Sequence, residues 1–337
     1  MTELPAREGL RHQAFFYRGL DEYRSVLGAF LRLALKRDEP VLAVVPGNRA
    51  ALLAADMGAD AGRVVFTDMM ELGRNPAGII PVIRAFTERG AGVPVSCASE
   101  PAWPTRNESE LVEVIKHEAL VNRAFVNTPM AFMCAFDTGP LPGEVLAEVR
   151  RTHPLLCQDG QQRQSTSYLG PAGIPARCEQ PLPAPPWQAE MLSYRTDLRP
   201  VRALVAAGAE EGGLAEPRAS DLVLAVSEVA ANTLRHTPDG GVLYIWHAAD
   251  EVVCEIQDSG WITDPLAGRR RPADNEPGGH GLWLVNQVCD LVEIRSGKRG
   301  TVVRMHMRTR LTRRNHWRDT RARWPSLAST LRFPAQR

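Results

Sequence analysis

The chain has 337 residues, 44% hydrophobic and 23% charged, with a formal net charge of +1. That is the composition of an ordinary globular protein long enough for two cores, and the near-zero charge predicts no overall attraction to nucleic acid or to a membrane surface. No apolar run approaches the ~20 residues of a membrane helix, and the first residues lack a secretory layout, so a cytoplasmic setting is expected.

Apolar β-type runs alternate with helical stretches through the first half. Strands are predicted at Ala14–Tyr17, Val41–Val45, Val64–Thr67, Val93–Ala98 and Ala131–Phe136. Helices are predicted between and after them, at Leu20–Lys36, Asn48–Met57, Ala77–Arg89, Glu108–Arg123 and Gly143–Thr152. Near-continuous apolar strands separated by helices argue for a mostly parallel sheet covered on both faces. From Gln158 to about Glu190 the chain is polar and then proline-rich, with Pro181, Pro183, Pro185 and Pro186. Such a segment cannot bury a core and predicts a semi-rigid linker over 157–190.

A second domain is predicted from Met191. It has helices at Leu198–Glu211 and Arg218–His236, then a hairpin of strands Val242–Ala248 and Val252–Gln257. A loop rich in Pro, Gly and Arg runs from Trp261 to Pro277, followed by a helix at His280–Cys289 and strands Leu291–Arg295 and Thr301–Met307. Helices and antiparallel strands in this arrangement predict an α/β sandwich with helices on one face of the sheet. The segment 309–337, with Arg310, Arg313, Arg314, Arg318, Arg321 and Arg323, reads as a basic, disordered tail. The six cysteines are scattered without a CxxC pair, which predicts neither a disulfide framework nor a metal motif in a reduced cytoplasm.

Three segments of the second domain carry chemistry. In Asp221–His236, Glu228 and Asn232 are one turn apart and share a face with Arg235, opposite the apolar stripe Leu222, Val226, Val229 and Leu234. A carboxamide oxygen is a hard ligand suited to Mg²⁺, and a neighbouring carboxylate can orient or deprotonate a nucleophile. Asp258 ends an apolar strand, where its carboxylate can accept from an adenine amino group. Gly260 lets a ring approach the backbone. Gly278-Gly279-His280-Gly281-Leu282 opens a helix and offers backbone N–H groups to an anion at the positive end of its dipole. Arg269, Arg270 and Arg271 in the preceding loop are candidates to close over phosphates, and Thr301 offers a hydroxyl near the base.

On these residues, 191–308 resembles a Bergerat-fold ATPase domain, the superfamily of gyrase, mismatch-repair ATPases, heat-shock chaperones and histidine kinases. Its compact form is most similar to the anti-sigma-factor serine/threonine kinases of Gram-positive bacteria. The resemblance implies that Glu228 is the catalytic base, that Asn232 holds Mg²⁺, that Asp258 binds adenine, and that Gly279 and Gly281 meet phosphate. It also implies ATP and Mg²⁺ as cofactors and an anti-sigma-factor antagonist, a sigma factor, or both as partners; a homodimer is compatible with it.

Residues 10–156 are similar to the MEDS sensory domain, through His12-Gln-Ala-Phe-Phe-Tyr17, Ser99-Glu-Pro-Ala-Trp103, Lys116-His-Glu-Ala-Leu-Val-Asn122, Leu141-Pro-Gly-Glu-Val-Leu146 and Arg150-Arg-Thr-His-Pro154. This resemblance implies a RecA-like parallel α/β fold. The turn Val45-Pro-Gly-Asn-Arg lacks the Gly-Lys-Ser/Thr of a phosphate loop, which makes this half a sensor rather than a second NTPase. Glu100, Trp103 and His153 are candidates to line a ligand cleft. Two other functions fit the same motifs: a sensor histidine kinase with His117 as acceptor, and a non-catalytic switch that binds ATP to set partner affinity.

Overall fold

Apolar runs of five to eight residues become strands wherever helices can cover both of their faces. In the computed structural model, which describes residues 9–90, 92–272 and 279–309, the first elements are β1 (Leu10–Tyr17), α1 (Leu20–Lys36), β2 (Val41–Val45), α2 (Gly47–Met57) and β3 (Val64–Asp68). A short α3 (Met69–Leu72), α4 (Ile79–Arg89), β4 (Val95–Ser99), α5 (Glu108–Ala124), β5 (Met130–Asp137) and α6 (Gly143–Thr152) follow. Two short strands, β6 (Leu155–Gln158) and β7 (Gln161–Gln164), complete a seven-stranded sheet in the order β3-β2-β4-β5-β1-β6-β7. Every neighbouring pair is parallel except β6 and β7. On one face Phe15, Tyr17, Ala43 and Val45 pack with Leu27 and Leu31 of α1 and Leu53 of α2.

The start of α5 is fixed by a reciprocal capping box. The Glu110 backbone N–H donates to Asn107 Oδ1 at 2.9 Å, and the Asn107 N–H donates to Glu110 Oε2 at 2.8 Å. Such a cap contributes about 1 kcal/mol and sets the register of the buried residues further along the helix. The turn after β2 is not built for phosphate: the Gly47 N–H donates to Asp68 Oδ1 at 3.2 Å, so a carboxylate stands where an anion would have to sit.

The polar stretch after Gln158 contains more structure than its composition predicts. Asp159 (φ 50°) and Gly160 (φ 69°) take the left-handed conformations of a tight hairpin turn between β6 and β7. β7 reads Gln-Gln-Arg-Gln and is exposed at every residue, so the ladder to β6 alone defines it. The chain divides into two compact units between Cys178 and Glu179.

The second unit contains β8 (Glu190–Tyr194), α7 (Arg199–Glu211), α8 (Glu216–His236), β9 (Gly241–Ala248), β10 (Glu251–Asp258), α9 (His280–Val288), β11 (Leu291–Gly297) and β12 (Gly300–Arg308). Its sheet is antiparallel, in the order β11-β12-β10-β9-β8. Leu243, Ile245, Cys254, Ile256, Val303 and Met305 face a helical layer that includes Val205 of α7, Leu222, Val226 and Val229 of α8, and Val285 of α9. Gly208 brings α7 close to the sheet, since a Cβ there would lie 2.4 Å from Ile245 Cδ1. Both the parallel first sheet and the helix-covered antiparallel second sheet agree with the predicted fold class. Residue 310 onward, the predicted basic tail, and Gly278 lie outside the described residues.

The second sheet also buries a charge network. Arg304 Nε donates to Glu255 Oε2 at 2.7 Å, while His306 bridges Glu251 Oε1 and Glu293 Oε2, each at 3.0 Å. Burial opposes a charged His306, but the two carboxylates outweigh it and push the imidazole pKa up to about 9. A pKa raised by folding stabilises the protein fully below the unfolded value, near 6.5, and that contribution is lost as pH rises through about 9. Chemical denaturation at pH 6 and pH 9.5 is expected to show a loss on the order of 2–3 kcal/mol from this group. In His306→Gln that part of the pH dependence disappears.

Candidate functional site

α8 has an apolar stripe that docks on the sheet, and this leaves Glu228 and Asn232 on a half-buried face one turn apart. Arg235 Nη1 donates to Asn232 Oδ1 at 3.0 Å, so the three residues read from the helix spacing do share a face. Across from them, α9 starts from Gly279, whose φ of 78° is a left-handed cap that glycine adopts without penalty. Two residues on, a Cβ on Gly281 would lie 2.9 Å from Glu228 Oε2 and 3.1 Å from Asn232 Nδ2. The glycine turn therefore rests directly on the Glu/Asn pair. His280 is exposed as the first residue of α9, and Leu282 is half-buried against the core.

Asp258 closes the other side. It accepts from Thr233 Oγ1 at 2.6 Å through Oδ2 and from the Gly260 N–H at 2.8 Å through Oδ1. Thr301 lies directly across from it in the β10–β12 register. The Thr301 hydroxyl donates to the Gly260 carbonyl at 2.8 Å and meets Ser296 Oγ at 2.6 Å. A Cβ on Gly260 would come within 3.0 Å of Asp258 Oδ1 and 3.1 Å of Thr237 Cγ2, so glycine lets the backbone turn tightly over this corner. Thr233 follows Asn232 on α8, which ties the Asp258 corner to the Glu/Asn face through one helix.

Thr233, Ser296 and Tyr194 are residues that the sequence does not mark. Tyr194 ends β8 and is buried; burial, with Asp258 nearby, pushes its phenol up to about 12. The only sequence signal for Thr233 is its place beside Asn232, because it lies on the buried side of the helix. The arginines of the loop depart from expectation. Arg269 is buried and Arg270 pairs with Asp264, so neither is a solvated arm over the site. Arg271 is exposed. Asn286 of α9 ties this loop down by donating to the Gly268 carbonyl at 3.1 Å.

Glycine is also required at residue 300. There φ is 116°, and a Cβ would lie 2.2 Å from the Asp258 carbonyl oxygen. Backbone against Cβ cannot relax by a rotamer change, so Gly300→Ala is expected to lower stability by roughly 2–4 kcal/mol in urea denaturation. A change under about 0.5 kcal/mol would show that β12 is not held so close to the end of β10.

Comparison with known proteins agrees with this division. Residues 11–154 match the MEDS family, the methanogen/methylotroph, DcmR sensory domain, and residues 193–307 match the histidine kinase-like ATPase domain. The chain thus joins a MEDS domain to a histidine kinase-like ATPase domain. No curated protein matches it. Among solved structures it is similar to the RsbU and RsbW domains of Rv1364c from Mycobacterium tuberculosis, at 22% identity and a TM-score of 0.28. That alignment covers 38% of this chain and 34% of the other, so the chain spans about a third of that structure's length. No helix among the described residues is long and apolar enough to cross a membrane.

The residues present offer the groups a nucleotide takes: the Asp258 carboxylate, the Asn232 carboxamide and the backbone N–H groups at the start of α9. Gly260 and Gly281 allow close packing where a Cβ would not fit, one beside Asp258 and the other against Glu228 and Asn232. Asn232 Oδ1 is a hard oxygen of the kind Mg²⁺ takes, and it accepts from the Arg235 guanidinium.

Proposed function

We propose that the second unit binds Mg·ATP and phosphorylates a serine or threonine of a partner protein, in a cytoplasmic regulatory role. The contact of Gly281 with Glu228 and Asn232 carries this reading, because it brings a phosphate-binding turn against a carboxylate and a carboxamide. By resemblance the partner is an anti-sigma-factor antagonist, and a sigma factor is a second protein it would engage. When bound, Mg·ATP supplies the phosphoryl group. Asp258, held by Thr233 and Gly260, accepts from the adenine amino group. Asn232 Oδ1, which accepts from Arg235, would hold the metal, and the N–H groups after Gly279 would receive the phosphates. Glu228 orients the attacking hydroxyl and takes its proton, while the rest of the acceleration comes from positioning and charge neutralisation.

A pull-down with ATP from the native host, followed by labelled ATP and the captured partner, tests this reading. Acid-stable label on the partner's serine or threonine supports it. An acid-labile label on this chain instead supports histidine chemistry, and stoichiometric ATP binding without any transfer supports a switch. His117 is a poor acceptor because it is wholly buried in α5.

A further inference from the structure

Four potential metal donors from distant parts of the sequence meet inside the first unit. His12 is on β1, Glu118 on α5, Cys134 on β5, and His153 at the end of α6. All four are buried with no exposed surface, and their ligand atoms lie within 4.8 Å of one another. His12 Nε2 is 3.1 Å from Glu118 Oε2 and 3.3 Å from Cys134 Sγ, and His153 Nε2 is 3.3 Å from the same Glu118 oxygen.

The surrounding hydrogen bonds decide where the ring protons sit. His153 Nδ1 lies 2.8 Å from the Val149 carbonyl, which can only accept, so Nδ1 carries the proton. Asn122 Nδ2 donates to the Thr152 carbonyl at 2.7 Å, which turns Asn122 Oδ1 toward His12 Nδ1 at 3.1 Å. His12 therefore also carries its proton on Nδ1. With both rings neutral, both Nε2 lone pairs point at a carboxylate oxygen, and that of His12 also points at sulfur. Acceptors facing acceptors in a dry interior repel unless a proton or a metal ion lies between them.

We propose that His12, Glu118, Cys134 and His153 form a closed site for one divalent transition metal of the zinc class. A tetrahedron with bonds of 2.0–2.3 Å has edges of roughly 3.3–3.7 Å; the separations of 3.1, 3.3 and 3.3 Å lie at or just below that range, and the remaining donor pairs lie within 4.8 Å. The donor set mixes nitrogen, oxygen and sulfur, which suits a borderline-soft ion. One carboxylate and one thiolate cancel the two positive charges, so the filled site is neutral, as full burial requires. Binding converts the Cys134 thiol to thiolate and releases its proton to solvent, so affinity rises with pH. The Nδ1 bonds to Asn122 and Val149 are the outer partners that fix ligating imidazoles. Phe132 stacks on His12 at 5.4 Å and Phe136 meets His153 edge-on at 5.7 Å, which together shield the site.

Full-length protein stripped with chelator and titrated with Co²⁺ tests the proposal. Saturation at one equivalent is expected, with tetrahedral ligand-field bands, a thiolate-to-cobalt charge-transfer band, and displacement by Zn²⁺. Cys134→Ser loses the charge-transfer band, and Asn122→Ala weakens zinc affinity about 10- to 100-fold with all four donors kept. Absence of a saturable cobalt spectrum overturns the proposal, as does a charge-transfer band that survives Cys134→Ser. X-ray absorption on zinc-loaded wild type gives a reading that no variant's folding can affect. One sulfur among nitrogen and oxygen neighbours is required; a shell of oxygens alone contradicts the site.

Discussion

Asp258→Asn is expected to lower ATP affinity about 10- to 100-fold in calorimetry, from the loss of a charged hydrogen bond worth roughly 1.5–3 kcal/mol. Both Asp258 oxygens are already in use: Oδ2 accepts from Thr233 and Oδ1 from the Gly260 N–H. Each keeps a second lone pair for a ligand amino group. In asparagine the amide oxygen can keep the Gly260 N–H, and the amide nitrogen can donate to the Thr233 hydroxyl, which then donates to the Val229 carbonyl at 3.2 Å. The supports of the residue survive, but the carboxylate that would receive the base is gone. The residue is at a strand end and partly exposed, so the fold should survive and denaturation should change little. Unchanged affinity would remove Asp258 from base recognition.

Glu228→Gln should leave ATP binding within a few-fold of wild type and reduce phosphotransfer by about 100- to 10,000-fold, the usual contribution of a positioned general base. Glutamine preserves the length of the side chain and its contact with Gly281, where Glu228 Oε2 now sits 2.9 Å from the position a Cβ would take. What it loses is the ability to take a proton. Single-turnover transfer to the captured partner is the measurement, with ATP affinity recorded alongside. Equal loss of binding and transfer would make Glu228 a structural support for the glycine turn and not the base.

Most of the second unit was legible because its periodicity is strong. The i, i+4 spacing of Glu228 and Asn232 against an apolar stripe is sufficient to define a polar face on a docked helix. The apolar run ending in Asp258 defines a strand terminus, and the two hairpins bring Thr301 into register with it. Thr233 was not legible, because a buried threonine on the packed side of a helix looks like part of the core. Tyr194 was hidden because β8 is an edge strand with exposed Glu190, Met191 and Ser193 directly after a proline-rich stretch. β7 has no apolar residue to read at all. The cluster of His12, Glu118, Cys134 and His153 was invisible for a different reason. Its contacts to His12 from Glu118 and Cys134 span 106 and 122 residues, and metal spacing rules read only local pairs. Topology assembles it, through the adjacent strands β1 and β5 with α5 laid across them. His153, read as a neighbour of Glu100 in a cleft, belongs instead with Glu118, while Glu100 accepts from Tyr17 at 2.7 Å.

A crystal structure of the full chain with Mg²⁺ and a non-hydrolysable ATP analogue tests the nucleotide site most directly. One nucleotide should lie between α8 and α9, its adenine amino group about 3 Å from Asp258, its phosphates at the N–H groups after Gly279, and its metal on Asn232 Oδ1. A nucleotide bound elsewhere, or a gap between Asp258 and Gly281 that stays filled by side chains at saturating ligand, would contradict the account.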